Sequence, residues 1–164
     1  MQSANICAHC RLGSMAATSR ILVLDLEGTL ISSAVSQIPR PGLHDFLTEC
    51  SRLFSRIVLM TTVREEVARK IVQLLAAEGS APAWLADIEY IQWDGKFKDL
   101  FFVPGVADVS HITLLDDMQE YVADGQEERH VWISSYDPSL LVDDYGFPEV
   151  LEDLRRRVRG ERFG

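Results

Sequence analysis

Cysteine is scarce in this chain: Cys7, Cys10 and Cys50 are the whole supply. So small and odd a number cannot build a disulfide framework, and a reducing compartment is the simpler reading. Long apolar runs are missing too, since none approaches the roughly 18 residues of a membrane-spanning helix. The start, Met1-Gln2-Ser3-Ala4-Asn5-Ile6, has neither the basic opening nor the apolar stretch of a secretory signal. A cytoplasmic protein with no membrane partner is expected. Positive charge is also short, with Lys and Arg totalling 16 against 25 Asp and Glu, a formal charge of −9. Affinity for a phosphate backbone comes from basic groups displacing counterions, so nonspecific nucleic-acid binding is not expected. No dinucleotide fingerprint, Walker loop or nucleophile elbow occurs, and there is no internal repeat.

What is present is the balance of a soluble globular protein, 47% hydrophobic and 25% charged. A length of 164 residues suits one domain. Such a chain buries roughly 68–70% of its unfolded surface and needs no staple. Residues 1–18 are rich in small residues and show no period, which predicts a flexible leader, with Met15 as a second conceivable start. The domain is set at residues 19–160. Cys7-Ala8-His9-Cys10 hints at half a zinc site, but no second Cys-x-x-Cys follows, so the leader reading is preferred.

Strands and helices then alternate. Ile21-Leu22-Val23-Leu24 is a short apolar run ending at Asp25, as expected of a strand buried on both faces. Leu43, Phe46, Leu47 and Cys50 form a helical stripe just after Pro41-Gly42. Ile57-Val58-Leu59-Met60 is a second buried strand, ending at Thr61-Thr62. Thr62 and Glu65 have capping-box spacing. Val67, Ile71, Leu74 and Leu75 give the following helix a core face, and Gly79 is placed to end it. Ile88 to Trp93 reads as a more exposed third strand, Ile112 to Leu115 as a fourth leading into Asp116-Asp117, and Val131 to Ile133 as a fifth. Phe147, Val150, Leu151, Leu154 and Val158 put one stripe on a closing helix. This alternation predicts a three-layer α/β sandwich around a mainly parallel five-stranded sheet, covered on both faces.

Ligands of open parallel sheets bind outside the carboxyl ends of the strands. Those ends carry Asp25-Leu26-Glu27-Gly28-Thr29, then Thr61-Thr62, then Asp116-Asp117, with Lys96-Phe97-Lys98 just after the third strand. Carboxylates, hydroxyls and an ammonium in one crevice suit a phosphoryl group bound with Mg²⁺, which prefers hard oxygen ligands. A carboxylate attacking a phosphate ester meets like charge, which cations must offset. A receiver domain gathers similar groups, but with its acidic pair first and its lysine last, the reverse of the order here. His44, His111 and His130 are scattered singly and need no role. Arg155-Arg156-Arg157 and Arg159 fall in the last turn of the closing helix, where cations complement the helix dipole.

The motifs and their order resemble the haloacid-dehalogenase superfamily of phosphotransferases. Arg40-Pro41-Gly42-Leu43-His44-Asp45-Phe46-Leu47, Lys98-Asp99-Leu100 and Leu114-Leu115-Asp116-Asp117 look like its branch of NLI-interacting factors and RNA polymerase carboxyl-terminal-domain phosphatases. The resemblance covers roughly residues 20 to 158. It implies a Rossmann-like sheet and a Mg²⁺-dependent phosphomonoester hydrolase that works through an aspartyl-phosphate. It makes Asp25 the nucleophile, and Asp25, Asp117 and the backbone carbonyl of Glu27 metal ligands, with Asp116 in support. Thr61 and Lys98 would hold phosphoryl oxygens, with Thr62 beside them on the substrate side, and Thr29 would brace the loop. Glu27 stands where phosphatases of this type carry the aspartate that moves the leaving-group proton, although the enolase-phosphatase branch also has Asp-x-Glu-Gly-Thr. Thr62-Val63 departs from the Ala-Ser of the polymerase-phosphatase branch. Short connections leave no room for a cap domain, and open sites of this superfamily often take macromolecules. The substrate expected first is therefore a phosphoprotein, and second a small phosphorylated metabolite, acted on by a monomer or weak dimer. A catalytically weak binding module on the same fold is the alternative that Glu27 motivates.

Overall fold

The computed structural model describes residues 19–140, 144 and 146–160. The proposed leader, with Cys7-Ala8-His9-Cys10 and Met15, lies outside the described residues. Five strands form one sheet: β1 (Ile21–Leu24), β2 (Arg56–Leu59), β3 (Glu89–Tyr90), β4 (Ile112–Asp116) and β5 (His130–Trp132). Their order is β3-β2-β1-β4-β5, and every pair is parallel. Three helices accompany them: α1 (Leu43–Leu53), α2 (Glu65–Ala77) and α3 (Gly146–Arg159).

The alternation of side chains along the strands separates two cores. Leu22, Leu24, Leu59, Leu115 and Val131 pack with the apolar stripes of all three helices, including Leu47, Cys50, Ile71 and Leu154. Ile21, Val23, Val58, Ile112 and Leu114 point the other way, onto Ile91, Leu100, Val103 and Val122. That second face carries short 3₁₀ turns and loops instead of α-helices, as at Leu100–Phe102 and Val109–His111. Parallel crossovers are right-handed. The chain runs from β1 outward to β3, then must return past β1 to β4, so this connection crosses the opposite face.

The expected elements differ from the structure in three local ways. The capping box does not form: Arg64 is the N-cap residue of α2 with no side-chain cap, and the Glu65 carboxylate instead accepts from Arg69 at 2.8 Å and from Gln92 at 2.5 Å. Leu74 is 43% exposed and leaves the core face to Ala68, Ile71, Val72 and Leu75. The third strand shrinks to two residues at the sheet edge, although Ile88 and Ile91 on either side stay buried. Gly79 does end α2, with φ +75°.

Candidate active site

β1 and β4 are neighbours, with Leu24 opposite Leu115. The Asp25 amide continues that ladder by donating to the Leu115 carbonyl at 3.0 Å. Asp25 and Asp116 therefore leave the sheet side by side where the strand order reverses. Asp25 is 4% exposed and Asp116 wholly buried. Between them sits the Lys98 ammonium, which donates to Asp25 Oδ1 at 2.7 Å and to Asp116 Oδ2. Lys98 arrives from the helix-free face, where its backbone N–H donates to the Tyr121 carbonyl at 2.7 Å. The rings of Trp93 and Tyr121 flank the ammonium at 5.9 and 5.7 Å from their centroids.

Thr29 closes the other side. Its hydroxyl lies 3.1 Å from Asp25 Oδ2 and 3.4 Å from Asp117 Oδ1. The loop that carries it turns at Gly28, with φ +72°, a conformation that favours glycine. A Cβ there would also stand 2.2 Å from Asp117 Oδ2, so any other residue would push that carboxylate aside. Oxygens of Asp25, Asp116 and Asp117 lie within 4.8 Å of one another. Three hard carboxylates around one small space fit Mg²⁺. Asp116 is the most committed of them, because its Oδ1 also accepts from the Met118 N–H at 2.8 Å.

The charges respond to this crowding. Burial pulls the Lys98 ammonium down, but Asp25 and Asp116 more than reverse this and its pKa is raised. Burial, and after it the Asp25 charge, push Asp116 up to about 6 against the pull of Lys98. Burial also raises Asp117, opposed by the Ser135 hydroxyl bonded to it. One ammonium thus faces more than one carboxylate, and the crevice has unmatched negative charge for a cation to meet.

The remaining sequence candidates are placed differently. Thr61 is buried at the end of β2, its hydroxyl accepting from the Val63 N–H at 3.3 Å. Its carbonyl is held by the Trp93 indole at 2.9 Å. Thr62, next in the chain, is exposed. The Glu27 carboxylate accepts from the Ala34 N–H at 2.5 Å, so it points along its own loop. His130, read as needing no role, reaches the Asp116 carbonyl at 3.0 Å through Nε2. The arginines of α3 are met by carboxylates: Arg155 by Glu49 at 3.0 Å and Arg157 by Asp153 at 3.3 Å. Ser135, Trp93 and Tyr121 carry no pattern that the sequence could have revealed, being brought in from separate loops.

A parallel sheet in this order, with an aspartate after β1, a buried lysine and an acidic pair at β4, is the arrangement that the resemblance to the haloacid-dehalogenase superfamily leads one to expect. The match to a family model sharpens this. Residues 20–158 match the NLI interacting factor-like phosphatases, and the chain belongs to that family. Among solved structures, the chain is similar to the fission yeast RNA polymerase II CTD phosphatase Fcp1 bound to beryllium fluoride. The TM-score is 0.55 and the identity 14%, over 87% of this chain and 50% of that one. This chain spans half the length of that relative, and the likeness is one of fold. No curated protein matches the sequence.

Proposed function

We propose that the chain is a Mg²⁺-dependent phosphomonoester hydrolase working through an aspartyl-phosphate on Asp25, with a phosphoprotein as substrate. The observation that carries this is the Lys98 ammonium held between Asp25 and Asp116, beside Asp117, at the ends of β1 and β4. Asp25, Asp117 and the Glu27 carbonyl would hold the metal, and Asp116 fixes Lys98. The metal would supply charge that offsets repulsion between carboxylate and phosphate. Asp25 supplies an oxygen that bonds to phosphorus as the ester P–O bond breaks. Lys98 and the Thr61 hydroxyl steady the phosphoryl oxygens, with Thr62 at the outer edge. Glu27 gives the departing oxygen its proton, then takes one from the water that cleaves the aspartyl-phosphate. For this its side chain must leave the Ala34 N–H and swing into the crevice.

A protein substrate is supported by the short loop after β1 and by an exposed aromatic beside the cluster. Residues 31–39 form only a short excursion pinned by the Ile31–Pro39 bridge, with no cap domain. Trp132 is 60% exposed beside the site, its indole donating to the Asp117 carbonyl at 3.1 Å. Among the described residues no helix is long and apolar enough to cross a membrane. A cytoplasmic monomer or weak dimer with one domain over 19–160 completes the reading.

The test is Mg²⁺-dependent hydrolysis across phosphopeptides, nucleotides and sugar phosphates, with Asp25→Asn as control. Wild type should turn over phosphopeptides fastest and lose activity to a chelator. Beryllofluoride, a mimic of the aspartyl-phosphate, should bind wild type and not Asp25→Asn. Undiminished turnover by Asp25→Asn would exclude the covalent route. The tethered Glu27 carboxylate favours one second reading, a weak or inactive binding module. Glu27→Gln separates the two: a catalytic Glu27 makes it about 10²–10⁴-fold slower than wild type. Equal rates would move the assignment to the binding module.

A further inference from the structure

Arg40 is the only buried arginine among the described residues, 1% exposed, and the mechanism above gives it no part. A guanidinium withdrawn from water is tolerated only when its donors are met. Here one edge forms a fork with Asp144, Nε to Oδ2 at 2.6 Å and Nη2 to Oδ1 at 2.9 Å. A simple ion pair would need no more. The rest of the group faces backbone. Nη1 donates to the carbonyls of Gly28 and Thr29, each at 3.2 Å. Nη2 donates to the Ser134 carbonyl at 2.9 Å and lies 3.3 Å from its hydroxyl.

These carbonyls belong to the two segments that flank the acidic cluster. Gly28-Thr29 carries the hydroxyl bonded to Asp25, and Ser134 precedes the Ser135 bonded to Asp117. The same segments are joined once more, by the Tyr136 N–H to the Gly28 carbonyl at 2.8 Å. The two segments pack closely, since a Cβ on Gly28 would stand 2.6 Å from Ser135 Oγ as well as against Asp117. The guanidinium is itself confined, because a Cβ on Gly146 would lie 2.5 Å from Nη2.

We propose that Arg40 is a positioning residue that sets the gap between the Gly28-Thr29 loop and the Ser134–Tyr136 segment, and through it the separation of the Asp25 and Asp117 carboxylates. A lysine cannot replace it, because one ammonium cannot reach Asp144 and three carbonyls together. The consequence for metal binding rests on the phosphatase reading; the consequence for the loop does not.

The experiment compares wild type, Arg40→Lys, Asp144→Asn and the double variant Arg40→Met/Asp144→Leu. The double variant removes both charges together, leaving no unpaired buried ion, and so keeps the test usable if Arg40→Lys fails to fold. Three readouts are taken: Mg²⁺ affinity by calorimetry, amide exchange over residues 26–31, and the melting temperature. Supporting groups of this kind typically alter metal affinity by 10–100-fold. Arg40→Lys and the double variant should bind Mg²⁺ weaker by about that factor and exchange residues 26–31 faster. Asp144→Asn, which keeps the carbonyl contacts, should melt earlier yet hold near-wild-type affinity and exchange. Equal weakening in Asp144→Asn and Arg40→Lys would reduce Arg40 to an anchor for α3. Wild-type exchange and affinity in both Arg40 variants would overturn the proposal outright. If wild type itself binds no Mg²⁺, the metal reading fails, and the exchange data alone decide on Arg40.

Discussion

The two faces of the sheet are built by different means. One is covered by α1, α2 and α3, whose apolar stripes dock side by side on Leu22, Leu24 and Leu59. The other is covered by 3₁₀ turns and loops over a smaller cluster around Val23, Val58 and Leu114. Asp25 follows the alternation of Ile21 and Val23, so it falls on the helix-free side, where Lys98 is delivered. A helix offers a stripe of side chains at fixed spacing, whereas an irregular segment can aim one side chain at a strand end. The helical face provides most of the buried apolar surface, and the loop face provides the cation of the site.

Breaking the loop face should give the largest effect. Lys98→Met removes the ammonium between Asp25 and Asp116, and turnover should fall about 10²–10³-fold, the usual loss for one positioned charge donor. The variant should also melt earlier, because two buried carboxylates are left facing each other. Steady-state kinetics on folded protein tests this; turnover close to wild type would remove Lys98 from the phosphoryl contact.

The matching break on the helical face is Leu47→Ala. Leu47 lies on the buried face of α1 and is fully buried, and its truncation should cost about 2–5 kcal/mol of stability. Turnover per folded molecule should stay unchanged. Denaturant unfolding paired with kinetics below the transition would show whether the faces divide the work in this way; a matching fall in turnover would erase the distinction.

The smallest effect sharpens the comparison without breaking anything. Burial pushes the Cys50 thiol up to about 12, so in the native protein it stays protonated at pH 8 and below. Thiolate is the reactive form. Alkylation of Cys50, followed by peptide mass spectrometry, should therefore proceed only through unfolding and accelerate in urea. Rapid labelling in native buffer would show that the helical face opens locally.

How far the sequence could be read follows the same divide. Strands β1, β2 and β4 were legible because a strand buried on both faces must be apolar throughout. Helices α1 and α3 were legible from their stripes. The α2 cap was not, since the helix begins at Glu65 with Arg64 as its N-cap, and the Glu65 carboxylate accepts from Arg69 and Gln92 instead. Leu74 was misplaced because periodicity locates a face only to within a residue. The exposure of Thr62 and the bond that the Glu27 carboxylate accepts from the Ala34 N–H leave no trace in local pattern.

By itself the sequence determined the order of the elements, the parallel sheet and the set of charged residues at the strand ends. These depend on local pattern and on the rule that loops at carboxyl ends form the crevice. Only the tertiary structure decided which of those residues touch. Lys98 lies 73 positions from Asp25, and Arg40 lies 104 from Asp144. No local signal records such pairings, because they arise when separate segments must together satisfy charges that the fold has taken out of water.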